Sequence, residues 1–279
     1  MTVDAHHHLW DLSVRDQDWI TGPELQPIRR DFTVHDLKPE ARGAGVDRTV
    51  LVQTVTVAEE TPEFLALADA HQLIAAVVGW VDLTRPDIAD ELARLRELPG
   101  GRYLKGIRHQ VQGEPDPQWL LRPDVQRGLA ALAGAGLVYD LIVLPHQLPA
   151  CVRAAAALPQ LTFVLNHLGK PPIAAGEPGP WTTDLRALAA LPNTVAKLSG
   201  LVTEADWASW TTGDLRPYAD AALAAFGPER LMFGSDWPVC TLAAPYGRVL
   251  AATRELTAQL SAAEHTAVFE KTATRVYGI

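Results

Sequence analysis

With 279 residues, 48% of them hydrophobic and 20% charged, the chain carries enough apolar side chain for one large folded unit and too much for a disordered one. A net charge of −9 without any Lys/Arg cluster argues against a nucleic-acid partner, and two distant cysteines, Cys151 and Cys240, argue against a disulfide framework or zinc knuckle. No basic and apolar leader opens the chain and no apolar run approaches the roughly 18 residues that span a bilayer, so a soluble cytoplasmic protein with no membrane partner is expected.

The first predicted strand lies in "VDAHHHLWD", residues 3–11. Side chains alternate along an extended backbone, so His6 and His8 share one face and His7 takes the other; the unit is His-x-His, with His7 packed behind the wall. The following stretch, 11–32, "DLSVRDQDWITGPELQPIRRDF", is too long for a simple connection and has little helical pattern, which predicts a lid. Strands then recur at "RTVLVQT" (48–54, with Gln53 near its end), "IAAVVGWVDL" (74–83) and "RYLKGIRHQV" (102–111). In the last of these Lys105 and His109 share one face, Gly106 and Arg108 the other; Gly106 leaves room in a lumen, so Arg108 is the inward candidate. The second half supplies "LVYDLIVL" (137–144, carrying Asp140), "LTFVLNH" (161–167, ending in Asn166 and His167), "TVAKLSG" (194–200, carrying Lys197 and Ser199) and "RLMFGSDWP" (230–238, running into Asp236 and Trp237). Amphipathic stretches such as "DIADELARLREL" and "DVQRGLAALAGAG" separate the strands, and a last helix at about 261–277 starts on Ser261 with Glu264 three residues on, a capping box.

Eight strand-and-helix units over this length predict a closed (β/α)8 TIM barrel, one domain over 1–279, since such barrels typically use about 250 residues. An open doubly wound sheet would show a Gly-rich phosphate fingerprint after its first strand, where this chain has His and Trp. Reactive groups of a barrel sit at the carboxyl ends of its strands, where this chain concentrates its polar residues. Buried without partners they would cost roughly 1–3 kcal/mol each, so a shared cavity is expected. Asp140 either holds Lys197 or Arg108 in a buried ion pair or meets the substrate directly. His6, His8, His167 and Asp236 have the donor types to ligate one divalent ion or to surround one polar substrate.

In combination, "DAHHHLWD", "KGIRH", "LNHLGKP", "KLSGL" and "GSDWP" resemble the amidohydrolase superfamily, and within it the branch of sugar-acid lactonases that includes fucono-, rhamnono- and pyrone-dicarboxylate lactonases. The resemblance runs from Asp4 to Gly278. It implies a (β/α)8 barrel with His6 and His8 ending strand 1, His167 ending strand 6 and Asp236 ending strand 8, and a small-molecule substrate such as L-fucono- or L-rhamnonolactone. Two-metal members carry a carboxylated lysine or glutamate ending strand 4 and a histidine ending strand 5; here Arg108 and His109 and the run "DLIVL" stand there. One divalent ion, zinc or manganese, or none is therefore implied, with His6, His8 and Asp236 as first ligands and His109, His146 or His167 as a fourth.

Lactone hydrolysis needs an activated water and a polarised carbonyl. Asp236 is expected to take the proton from water, His6, His8 and Arg108 to polarise the carbonyl directly or through a metal, His167 to hydrogen-bond the substrate or intermediate, and Lys197 to stabilise charge or protonate the leaving hydroxyl. Trp10, Trp19 and Trp237 offer flat faces for the C–H side of a sugar, with Gln53, Asn166, His109 and Asp140 as candidates to read its hydroxyls. Two other functions share these residues: metal-dependent non-oxidative decarboxylation of a small unsaturated or aromatic acid, and non-catalytic sugar-acid binding. The oligomeric state, including a homo-oligomer, is left open.

Overall fold

The computed structural model describes residues 1–279. Eight strands, β1 (Val3–His7), β2 (Arg48–Val52), β3 (Ile74–Gly79), β4 (Leu104–His109), β5 (Val138–Leu141), β6 (Phe163–Leu165), β7 (Thr194–Leu198) and β8 (Leu231–Phe233), pair in parallel in sequence order. At the carboxyl end the Asp236 N–H donates to the His6 carbonyl (2.8 Å) and the His8 N–H to the Trp237 carbonyl (2.7 Å), joining the last strand to the first. The helices α1 (Val34–Gly43), α2 (Glu60–Ala70), α3 (Ile88–Glu97), α4 (Pro123–Gly134), α5 (Leu148–Ala157), α6 (Gly179–Ala189), α7 (Thr212–Phe226) and α8 (Tyr246–Leu256) surround this ring, which is a (β/α)8 barrel. No helix is long and apolar enough to cross a membrane.

The strands read as nearly unbroken apolar runs because both of their faces are covered. Small and β-branched side chains, among them Val50, Val52, Ala76, Val78, Val138, Val164 and Val195, fill the lumen, while larger ones such as Leu51, Tyr139, Phe163 and Phe233 pack outward under the helices. Ala273 and Tyr277 of the C-terminal helix join the lumen cluster. That helix starts on Ser261 with the expected capping box, but it is not uniform: Ala262–Thr266 and Thr272–Tyr277 flank a π-helical turn at Ala267–Lys271.

β1 departs from simple alternation in a way that matters for the site. Val3 and Ala5 belong to the lumen cluster, so a regular strand would send His7 inward after them. A register shift between Asp4 and His7 moves the pattern by one residue: His7 pairs with outward Leu51, and His6 meets Arg108 and Lys197 instead. Asp4 stabilises the shift. Its Oδ1 accepts the His6 N–H (3.1 Å) and the Ser235 N–H (2.8 Å), and its Oδ2 accepts the Ser235 (2.6 Å) and Tyr246 (2.8 Å) hydroxyls.

The β2–α2 turn is closed by a buried carboxyl. Glu60 accepts the Thr54 N–H (2.8 Å), the Thr54 hydroxyl and the Val55 N–H (3.4 Å), and its burial pushes it from an ordinary 4.5 up to about 7 despite these donors. The folded protein therefore keeps a proton that the unfolded chain releases between about 4.5 and 7, and stability falls as pH rises through that window. Glu60→Gln removes the penalty. Its melting temperature relative to the parent is expected to be higher at pH 8 than at pH 4.5, by the equivalent of up to about 3 kcal/mol at roughly 1.4 kcal/mol per unit; thermal melts across that range check it, and a difference independent of pH refutes it.

Candidate active site

At the carboxyl end of the barrel a cavity of about 260 Å³ opens over the strands; His8, Arg108, His167 and Asp236 form its floor, with Trp19 and Leu25 of the 11–32 stretch at its edge. The ends of that stretch are pinned together by two bonds between the backbones of Trp10 and Phe32 (3.0 and 2.9 Å), and a turn of 3₁₀ helix, Pro23–Ile28, lies within it. A second, more apolar cavity of about 460 Å³ lies on its other side, against α2, and holds none of the histidines.

Three imidazoles converge on one carboxylate oxygen. His6, His8 and His167 Nε2 stand 3.7, 3.5 and 3.6 Å from Asp236 Oδ1, and His6 and His8 Nε2 are 3.1 Å apart. Their partners assign the protons. The Val52 carbonyl, 2.8 Å from His8 Nδ1, can only accept, so His8 carries its proton there and turns a lone pair on Nε2 inward. His6 Nε2 then carries the proton shared between the two rings, and His6 Nδ1 accepts from Lys197 Nζ at 3.3 Å.

Unusual backbone aims these groups. His167, Leu168, Gly169 and Lys170 are four successive residues at positive φ (52°, 51°, 72° and 53°), and Asp236 is at 59°. Non-glycine residues there cost of order 1–3 kcal/mol each, a strain that clusters at functional sites. Two glycines make the space: a Cβ on Gly200 would stand 2.5 Å from His167 Nδ1, and one on Gly234 2.7 Å from His6 Cβ. The His167 ring is held by Ser199 Oγ, 2.8 Å from Nδ1.

Burial decides the protonation states. It pulls His167 down to about 3, and it depresses His6 strongly and His8 less so, with nearby cations adding to the effect. Burial alone would raise Asp236, but its surroundings, His167 first and Lys170 among them, outweigh it and hold the carboxyl below its usual range. Arg108 is drawn down by burial to about 10 and keeps its charge at neutral pH. The site is thus an ionised carboxylate among neutral imidazoles, beside a guanidinium.

Arg108 is placed by its neighbours: Nε donates to Gln53 Oε1 (2.7 Å), Nη2 to the Gln53 carbonyl, and Nη1 to Asn166 Oδ1 (3.2 Å), which leaves Nη1 3.3 Å from His6 Nε2. Gln53 and Asn166 therefore hold Arg108 and do not line the cavity. Asp140 and Lys197, both fully buried, form an ion pair of 2.6 Å beneath the floor. Lys197 touches His6 from below, not from the cavity where the leaving hydroxyl would be. Asp140 takes up the ion-pair alternative, and also accepts from Asn166 Nδ2 (2.9 Å) and the Tyr277 hydroxyl (3.0 Å).

His109 faces away, as its strand position implies: it stacks on Trp119 (4.2 Å between centroids) and meets Glu114 (2.7 Å) and Trp80 (3.0 Å), so it is a packing residue rather than a hydroxyl reader. Trp10 and Trp237 both pack on Phe32, outside the cavity; of the three candidate tryptophans, Trp19 lines it. His7 lies behind the wall with neither ring nitrogen partnered. Sequence reasoning did not single out Gln110, Gln112, Lys170, Thr203, Glu204 and Trp207, which complete the walls. All come from loops after β4, β6 and β7, where no periodicity marks an inward side chain; the signal for Lys170 was its place in "NHLGKP", three residues past His167.

His6, His167 and Asp236 offer ligand atoms within 4.8 Å of one another, and His8 Nε2 adds a fourth donor. Zinc holds nitrogen and oxygen ligands at about 2.0–2.2 Å, which sets them roughly 3.4 Å apart around a tetrahedron. The distances of the three imidazoles from Asp236 Oδ1 and of His6 from His8, 3.1–3.7 Å, are of that size, so His6, His167 and Asp236, with His8 beside them, fit one divalent cation, which would displace the proton shared by His6 and His8.

A family model described as Amidohydrolase matches residues 3–279. The chain is 41% identical over 290 residues to an L-fucono-1,5-lactonase of Burkholderia multivorans, covering 100% of this chain and 96% of that protein. It is 40% identical over 248 residues to an L-fucono-1,5-lactonase of Burkholderia ambifaria, covering 88% and 83%. A crystal structure of an amidohydrolase from Burkholderia multivorans with bound zinc superimposes with a TM-score of 0.94 at 41% identity, covering 100% of this chain and 99% of that one.

Proposed function

Because the chain belongs to the amidohydrolase family, we propose that it is a hydrolase that opens the ester bond of a small sugar-acid lactone, an aldono-1,5-lactone of the L-fucono type. The observation that carries this reading is the Asp236 carboxylate ringed by His6, His8 and His167, with the Arg108 guanidinium beside it, at the floor of a cavity sized for one sugar ring, in a chain so similar to fuconolactonases.

In this reading Asp236 accepts a proton from water as its oxygen attacks the lactone carbonyl. Arg108, oriented in advance by Gln53 and Asn166, donates to the oxygen on which negative charge develops, and His167 holds the tetrahedral intermediate from the other side. The proton on Asp236 then returns to the ring oxygen as the C–O bond breaks, leaving a hydroxy acid. A divalent cation, zinc or manganese, would be held by His6, His8 and Asp236 with His167 and would supply Lewis-acid charge when bound. Trp19 and the 11–32 stretch form a lid over the ring. We place the enzyme in carbohydrate metabolism and in the cytoplasm, a setting that suits two free buried thiols.

A pH-indicator assay against 1,4- and 1,5-lactones of common aldonic acids tests the function, with spontaneous opening subtracted. Proton release above that background without release of carbon dioxide is expected; no enhancement on any lactone refutes the reading. Elemental analysis is expected to find no more than one equivalent of divalent metal per chain, because strands β4 and β5 end in Arg108, His109 and Leu141 rather than a second ligand set. Two tightly held equivalents would contradict it.

A further inference from the structure

Lys170 and Glu204 are charged side chains in the cavity wall to which the mechanism gives no contact with the substrate. Lys170 Nζ lies 3.4 Å from Glu204 Oε1, and each side chain is 25% exposed, open to the cavity yet well shielded from bulk water. Lys170 closes the strained turn that aims His167, its N–H donating to the His167 carbonyl (2.9 Å). Glu204 stands on the loop after β7, and its carbonyl accepts the Ala174 N–H (3.0 Å), so the β6 and β7 loops are tied together behind the pair. At that separation the ammonium keeps two further donors and the carboxylate its second oxygen. Independently, Gln112, half-buried on the loop after β4, lines the same cavity, and its Oε1 has no hydrogen-bond partner within the protein. A buried acceptor left unpaired costs roughly 1–3 kcal/mol, and a ligand hydroxyl would satisfy it. Donors and acceptors side by side above the reacting floor match neighbouring hydroxyls of one sugar ring.

We propose that Lys170, Glu204 and Gln112 form a hydroxyl-reading subsite that makes the enzyme selective for polyhydroxylated lactones over plain ones. The inference rests on the lactonase reading. Sites built to hydrogen-bond a substrate hydroxyl discriminate strongly against the analogue that lacks it, because the protein's own polar groups are then left unpaired.

The test compares kcat/KM for L-fucono-1,5-lactone and for unsubstituted δ-valerolactone in the parent, Lys170→Met, Glu204→Gln and Gln112→Leu. The ratio of the two is expected to fall at least about tenfold in each variant, through loss on the hydroxylated lactone. A ratio within about twofold of the parent in variants with unchanged melting temperature overturns the proposal, as does an equal loss on both lactones, which would put the residues at the reacting centre. Glu204→Gln is isosteric and carries the test if Lys170→Met does not fold. A parent that opens neither lactone refutes the lactonase reading itself, whereas a selective parent with unchanged ratios in the variants refutes the subsite alone.

Discussion

Asp236→Asn is expected to lower kcat by about 10²–10⁴-fold, the usual worth of a general base, with little change in melting temperature. Asparagine keeps the size of the side chain and tolerates the left-handed backbone that Asp236 adopts at φ 59°, so the substitution adds no strain to the turn. What it removes is the basic oxygen that His6, His8 and His167 surround at 3.5–3.7 Å. A folded variant that keeps more than about a tenth of the parent rate has not lost its base, and the role would pass to His167. His7→Leu is the matched control on the same strand end as His6. Its imidazole is buried with both nitrogens unpartnered, so an apolar side chain of similar volume breaks no hydrogen bond, and turnover should stay near that of the parent.

Lys197→Met is expected to act on stability first, by about 3–5 kcal/mol, because it strands a buried carboxylate. Asp140 is fully buried, as is Lys197, and its remaining partners, Asn166 Nδ2 at 2.9 Å and the Tyr277 hydroxyl at 3.0 Å, are neutral. Burial pulls the Lys197 ammonium down, and the Asp140 contact opposes that pull. Neutralising both partners should therefore cost less than losing the cation alone: adding Asp140→Asn is expected to restore a substantial part of the loss. Urea titrations of the three proteins read this directly. A loss below about 1 kcal/mol in Lys197→Met would show that the pair behaves like an exposed one.

Local rules determined much of this molecule. Apolar runs of strand length alternating with amphipathic stretches dictated eight parallel units, because a strand covered on both faces must be apolar along its length, and eight such units over this length without a Gly-rich turn after the first strand pointed to a closed ring. The two-residue period of a strand separated His7 from His6 and His8, and the Gly106–Arg108 pair turned Arg108 inward; both statements needed only the neighbouring residues. Ser261 and Glu264 announced the last helix for the same reason.

Tertiary structure decided what those rules could not reach. Which face of β1 looks into the barrel depends on a register shift held by Asp4 through Ser235 and Tyr246, partners more than 200 positions away in sequence. The depth of each polar side chain along the barrel axis follows from strand stagger on closure, and so Lys197 and Asp140 lie beneath the floor while Asp236 stands on it. Lys170 and Glu204 enter the cavity only because a left-handed turn and two tied loops carry them there. Loop backbone has no period to read; its course is set by the long-range hydrogen bonds and packing that exist once the ring has closed.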